Sequence, residues 1–262
     1  MNTSMLAVQL YTLREHTKTA DGFADSLKRV AAIGYNAVQI SAVGAMSGES
    51  PAVTAAQARE LLEQNGLACI ATHRDWDRLC QQTDDEIDFH KRLGCPFVAI
   101  GSLPGRYRNE GAAGYQRFVD DAAPVIAKLK AEGIVFGYHN HAHEFERIAG
   151  TQTCLYDIFV NASADLALEV DVYWAAHAGL NPERLMERLG GRTPVIHVKD
   201  REVVHDGPVM APVGEGNLDW PHLIPCCLQA GVKWFAVEQD EYRRDPFDCL
   251  KASFQYLQNL PV

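Results

Sequence analysis

Four stretches in the second half of the chain follow a short aliphatic run with histidines and carboxylates. They are Tyr138-His139-Asn140-His141-Ala142-His143-Glu144, Leu168-Glu169-Val170-Asp171-Val172-Tyr173-Trp174, Val195-Ile196-His197-Val198-Lys199-Asp200 and Ala236-Val237-Glu238-Gln239-Asp240. Imidazole and carboxylate groups are the ligands that Mn²⁺, Fe²⁺, Co²⁺ and Zn²⁺ accept. Asp171, His197 and Glu238 each come after aliphatic residues, where a buried charge is costly unless it is paired or metal-bound. Any one of them could be a satisfied core group, but ionisable residues ending four successive runs point to a metal site in a cleft.

The elements that must carry these residues recur along the whole chain. An amphipathic stretch, a glycine and a β-rich apolar run appear in order around Gly34, Gly66, Gly94, Gly133 and Gly231. Glycine just past a helix accepts the left-handed conformation that ends it, so each instance predicts a helix stop followed by a strand. Strands are expected at 6–10, 37–40, 67–72, 97–100, 134–138, 166–170, 194–198 and 234–237, apolar on both faces as a helix-covered parallel sheet requires. Thr54 to Gln57 and Thr83 to Glu86 spell capping boxes, and Pro182 and Pro246 suit first helical turns. Eight βα units in 262 residues match a single (β/α)8 TIM barrel, an α/β fold with its chemistry at the C-terminal ends of the strands. A doubly wound open sheet is the competing arrangement. No linker or low-complexity tract interrupts the chain, so one domain is expected over residues 1–262.

Alternation sends His139 and His141 to one side of strand five and Tyr138 and Asn140 to the other, with His143 and Glu144 in the loop beyond. Not all can be ligands, and His143 is read as structural. Weaker polar signals complete the rim: Gln9, Tyr11, Gln39, Ser41, His73, Arg74 and Ser102. Trp174, Tyr173, Trp76 and Phe145 are aromatic candidates near the same openings, Trp174 for stacking on a sugar ring. The glycine-rich stretch Val213-Gly214-Glu215-Gly216-Asn217 lacks the Lys-Ser/Thr tail of a phosphate-binding loop and reads as a tight turn, with Asp219 capping the next helix.

The formal charge of −10 opposes the phosphate attraction on which nucleic-acid binding rests. Seven cysteines without a C-x-x-C pair suit free thiols in a reducing compartment. The start of the chain lacks a basic segment ahead of its apolar run, and no stretch approaches about twenty apolar residues. A cytoplasmic protein without membrane or nucleic-acid partners is expected, and self-association into a homo-oligomer is compatible with this reading.

Taken in order, Val8-Gln9-Leu10-Tyr11, Tyr138 to Phe145, Leu168 to Trp174, His197-Val198-Lys199-Asp200, Gly214-Glu215-Gly216 and Val237-Glu238 resemble the sugar phosphate isomerase/epimerase superfamily, the xylose isomerase-like TIM barrels. The superfamily includes ketose 3-epimerases, hydroxypyruvate isomerases, inosose dehydratases, enzymes of 3-keto-glycosides and the more distant endonuclease IV. The resemblance implies a Mn²⁺-, Co²⁺-, Fe²⁺- or Zn²⁺-type ion held by a strand-five residue with Asp171, His197 and Glu238. Ketose 3-epimerases place a glutamate on strand five where this chain has His139, and the nearest acidic residue is Glu144. Trp174 replaces the histidine that often follows the strand-six aspartate. The expected metal set is Glu144, Asp171, His197 and Glu238. His141 is the candidate acid/base, Lys199 the candidate for holding an oxyanion, and His139 a further catalytic candidate. The expected activity is isomerisation or epimerisation of a small carbohydrate through an enediolate. A carbon–oxygen lyase acting on a keto-inositol or 3-keto-glycoside and a non-catalytic sugar-binding barrel are the alternatives.

Overall fold

The computed structural model describes residues 1–261. Eight parallel strands close into a barrel: β1 (Leu6–Gln9), β2 (Ala37–Ile40), β3 (Ala68–His73), β4 (Phe97–Ile100), β5 (Val135–His139), β6 (Leu166–Asp171), β7 (Val195–Val198) and, after a two-stranded excursion, β10 (Trp234–Val237). β10 pairs with β1 and β7, which closes the ring. The sequence periodicity had placed every strand to within about two residues, within the ordinary scatter of element boundaries. All five expected helix-stop glycines have positive φ.

Side-chain direction along these strands divides the barrel into levels. Ala7, Ala37, Ala71, Phe97, Ala99, Ala167, Val195 and Ala236 point inward and form a small apolar core separate from the larger one beneath the helices. Phe97 fills this alanine-lined interior because β5 carries Gly137 beside it. A Cβ on Gly137 would stand 2.4 Å from the Phe97 ring. Two residues further along the same faces the inward positions become polar: Gln9, Gln39, His73, His139, Glu169, His197 and Glu238. An apolar plug therefore supports a polar level at the C-terminal mouth.

The hairpin β8 (Asp200–Val204) and β9 (Gly207–Ala211) follows β7 and was not anticipated from the sequence. Pro208, Val209 and Met210 line the cavity at the barrel mouth. The hairpin and the glycine-rich loop are tied together by Asp200, whose buried carboxylate accepts bonds from the backbone N–H of Arg201, Gly214 and Leu218 and from the Trp220 indole N–H. Gly216 leaves room for that carboxylate, since a Cβ there would lie 2.3 Å from Asp200 Oδ1.

Two expected caps differ. The Thr54 capping box forms, but Thr83 lies inside its helix and its hydroxyl donates to the Leu79 carbonyl. Glu86 is instead drawn to Arg74 and Arg78, because a buried carboxylate gains more from two guanidinium partners than from an end amide. Asp219 occupies its helix start without a backbone bond and accepts from His222. Pro182 and Pro246 do open helices, behind Asn181 and Asp245. Among the described residues no helix is long and apolar enough to cross a membrane.

Replacing Asp200 by Ala would leave several buried donors unpaired, each costing about 1–3 kcal/mol. Urea unfolding of Asp200→Ala is expected to show a loss of about 3 kcal/mol or more, and a loss below about 1 kcal/mol would contradict the role of this carboxylate as the anchor of the hairpin.

Candidate metal centre and active-site cavity

The mouth of the barrel opens into a cavity of about 610 Å³ lined by Tyr11, Ser41, His73, Ser102, His139, His141, His143, Tyr173, Trp174, Glu238 and Asp240, with the β9 residues on one side. Of the expected rim, Gln9 and Gln39 are buried beneath it, and Arg74 is committed to Glu86. Trp76 and Phe145 belong to the core. Trp76 packs on Phe118 and Phe136 away from the mouth. His143, read from the sequence as structural, lines the cavity.

Asp171 ends β6, His197 stands opposite it on β7, and Glu238 follows β10, so adjacent strands deliver all three to one level. They are fully or almost fully buried, with ligand atoms within 4.8 Å of one another. His197 accepts no ordinary tautomer here. Its Nδ1 lies 2.8 Å from Glu238 Oε2 and its Nε2 2.9 Å from Gln39 Oε1, so each ring nitrogen faces an acceptor. Burial alone would lower the pKa of His197, but Glu238 and Glu169 raise it to about 10. Gln39 is held in that orientation by donating to Glu169 Oε1 at 2.9 Å.

Lys199 extends into the same place. Its Nζ lies 2.9 Å from Asp171 Oδ2, 2.7 Å from Glu238 Oε2 and 2.9 Å from Asp240 Oδ2. Burial opposes its charge, yet Asp171, Glu238 and Asp240 hold it well above the usual lysine range. The bond to Asp240 is well aligned, whereas Asp171 Oδ2 lacks an aligned donor despite its short distance to Nζ. Asp200, next to Lys199 in the chain, is occupied instead by the hairpin and its loop.

Glu144 is brought elsewhere. The tight turn His143–Phe145 folds its carboxylate back beneath strand five, where it accepts from Tyr138 Oη at 2.6 Å and from the His141 backbone N–H at 2.8 Å. Burial pushes its pKa up to about 7 in spite of those bonds. Glu144 groups with His141 and His143, and Asp171, His197 and Glu238 form a separate group without it. His141 reaches the cavity, and burial followed by the charge of Lys199 lowers its pKa to about 3, so it is a neutral base at physiological pH. His139 lies between the levels, with Nε2 3.9 Å from Asp171 Oδ2 and Nδ1 3.5 Å from Glu169 Oε2.

Glu169 was quoted in the sequence but given no role. The signal that could have found it is the two-residue alternation from Asp171, which places both carboxylates on the inward face of β6.

The donor set fits a divalent cation. Among the described residues, the side chains of Glu169, Asp171, Glu238 and Asp240 have Lys199 and His197 as their strong cations, and the shortage shows at Asp171, where burial lifts the carboxyl to about 6. Asp171, His197 and Glu238 offer two carboxylates and an imidazole, a set that could hold an ion with positions left for other ligands.

With this geometry, similarity to known proteins becomes informative. The family model for the xylose isomerase-like TIM barrel matches residues 27–260. A sugar phosphate isomerase/epimerase from Parabacteroides distasonis superposes with a TM-score of 0.81 at 23% identity, covering 100% of this chain and 96% of that one. A probable 3-DHS dehydratase of petrobactin synthesis from Bacillus anthracis gives 0.72 at 11% identity, covering 97% and 98% of the two chains. The IolI protein with a bound zinc atom gives 0.64 at 14% identity, covering 98% and 97%. A comparison with curated proteins finds no match. The barrel, the inward polar level at its mouth and the match over residues 27–260 together establish that the chain belongs to the xylose isomerase-like TIM barrel family.

Proposed function

We propose that this protein is a divalent-metal-dependent isomerase or epimerase of a small sugar or keto-sugar, with Asp171, His197 and Glu238 as the metal ligands. The observation that carries the proposal is their convergence just beneath a cavity that Glu238 lines and whose walls offer hydroxyls, a neutral imidazole and an indole face. When bound, the metal would polarise the substrate carbonyl and stabilise negative charge on its oxygens.

His141 takes the proton from the carbon beside the carbonyl, leaving an enediolate, and returns it to the neighbouring carbon to complete an isomerisation; an epimerisation needs a second acid on the opposite face of the same carbon. Burial keeps the His141 lone pair free at neutral pH, and the low pKa makes it a weak base that would need the C–H acidified by the bound metal. Lys199 holds Asp171, Glu238 and Asp240 in place, because the distances of its ammonium to these three carboxylates leave it no free direction toward an oxyanion. Gln39 holds His197 through Nε2, so that Nδ1 faces Glu238. Ser41, Ser102 and Tyr11 face the cavity as hydrogen-bonding partners for hydroxyl groups, and Trp174, with its ring 5.5 Å from that of His141, offers a stacking surface. The family relationship supports a small carbohydrate substrate, and the name of the P. distasonis structure supports isomerisation. Proton abstraction beside a carbonyl also serves β-elimination, and the dehydratase among the structural neighbours supports a lyase as the second reading.

Incubation with a panel of ketoses and keto-sugars in D₂O with Mn²⁺, read by NMR and mass spectrometry, is expected to show carbon-bound deuterium in an isomer of unchanged formula. Loss of water or an alcohol would favour the lyase, and saturable binding with neither would reduce the protein to a sugar binder. Protein stripped with EDTA should regain activity with Mn²⁺ or Co²⁺ and not with Ca²⁺, whereas full activity in metal-free protein would overturn the proposal.

His141→Ala is expected to lower turnover about a hundredfold or more with metal content unchanged. Loss of the metal in this variant would make His141 a ligand instead.

A further expectation concerns protons. His197 is held doubly protonated at neutral pH by the charges of Glu238 and Glu169, so binding a metal through Nδ1 would expel about one proton. Calorimetric titration with Mn²⁺ at pH 7.5 should give a binding enthalpy that changes with the ionisation enthalpy of the buffer. The same enthalpy in phosphate and in Tris would remove His197 from the ligand set.

A further inference from the structure

The chemistry proposed above gives no part to Glu169, a fully buried carboxylate inside the barrel. Glu169 lies on the inward face of β6, two residues closer to the apolar plug than Asp171. Imidazoles from three other strands surround its Oε2: His73 Nε2 at 2.5 Å, His197 Nε2 at 3.4 Å and His139 Nδ1 at 3.5 Å. All four residues offer ligand atoms within 4.8 Å of one another. Two bonds of about 2.1 Å at the tetrahedral angle place their ligand atoms about 3.4 Å apart, which is the spacing of His139 from Glu169, while His73 sits at hydrogen-bond distance and its ring must draw back by about 1 Å to admit an ion.

Several features set this cluster apart from the level above. Lys199 reaches Asp171 and Glu238, but among the described residues every salt-bridge partner of Glu169 is a histidine. His139 Nδ1 is buried and has no hydrogen-bond partner, so a donor atom beside a buried carboxylate is left uncommitted. His197 Nε2, by contrast, is already bonded to Gln39. His73 and His139 both line the cavity, which gives an ion a way in.

We propose that His73, His139 and Glu169 form a second, deeper site for a divalent transition metal, separate from Asp171, His197 and Glu238. Two imidazoles and one carboxylate suit zinc or iron(II) and leave coordination positions free. Glu169 contributes Oε2, while Oε1 keeps the amide of Gln39. His197 forms the wall between the two sites, its Nδ1 on one side and its Nε2 on the other. This inference does not depend on which reaction the upper site performs.

The test is metal stoichiometry. Stripped protein loaded with Zn²⁺ or Co²⁺ and desalted should carry about two ions per chain by elemental analysis. Asp171→Asn should retain about one, and His73→Ala and Glu169→Gln should each retain about one, with circular dichroism confirming that all remain folded. Co²⁺-loaded Asp171→Asn should show visible ligand-field bands that disappear when His73→Ala is added. A wild type that saturates with one ion, kept by His73→Ala and lost by Asp171→Asn, would overturn the proposal and leave Glu169 as a hydrogen-bond hub. A single ion lost by His73→Ala and kept by Asp171→Asn would instead support the deeper site and overturn the ligand set of the proposed enzyme.

Discussion

The arrangement of the barrel mouth depends on the cost of holding carboxylates out of water. Asp171, Glu169 and Glu238 are buried on neighbouring strands, with Asp240 beside them, and uncompensated charges in such a place are expensive. Lys199 and His197 are the compensation built into the chain. The ammonium bridges three of the acids, and the imidazole stands between Glu238 and Glu169. Burial by itself would raise the pKa of Glu238, yet Lys199 and His197 hold it well below the ordinary range. Glu169 is likewise held low, against burial, by His73 and His197. Asp171 is lifted instead by burial, with the charge of Glu238 adding to it, since Lys199 and His197 only partly offset the desolvation. The residual negative charge favours a cation, and the same field attracts protons that a bound metal would have to displace.

Rigidity beneath this charged level makes the geometry specific. The inward apolar level of small residues, filled by Phe97 beside Gly137, leaves little room for the strands to shift. Above it, Gln39 links two levels by donating to Glu169 and accepting from His197. Side chains locked by packing and by a second ring of hydrogen bonds are what metal and catalytic sites require. Asp200 does comparable work outside the barrel. Its four bonds fix the hairpin whose residues Pro208 to Met210 wall one side of the cavity, so a residue that touches no part of the cavity shapes it.

Much of the fold was legible because the barrel is written in local patterns. Glycine after a helix and a short run of aliphatic residues are signals within a few positions, and they located every barrel strand. The hairpin of Asp200–Val204 and Gly207–Ala211 was not legible, since its strands are mixed in polarity and gain their pairing from the anchor at Asp200. Thr83 and Glu86 misled for a related reason. A capping-box spelling predicts a local bond, and the buried Glu86 found better partners in Arg74 and Arg78, brought near by the fold.

The sequence alone determined which strands carry ionisable groups to the mouth, and alternation along β6, β7 and β10 was enough to bring Asp171, His197 and Glu238 to one face of the sheet. Only the tertiary structure decided how those groups divide among themselves. Glu144 stands a few residues after the end of strand five and looks equivalent to a ligand in one dimension, but a single tight turn folds it beneath the strand to Tyr138 and the His141 amide. Lys199 follows His197 by two residues and could have faced a substrate, but the convergence of three acids from different strands captures its ammonium. Distances between residues far apart in the chain set the field at each site, and that field determines which groups hold protons and which remain open to a metal.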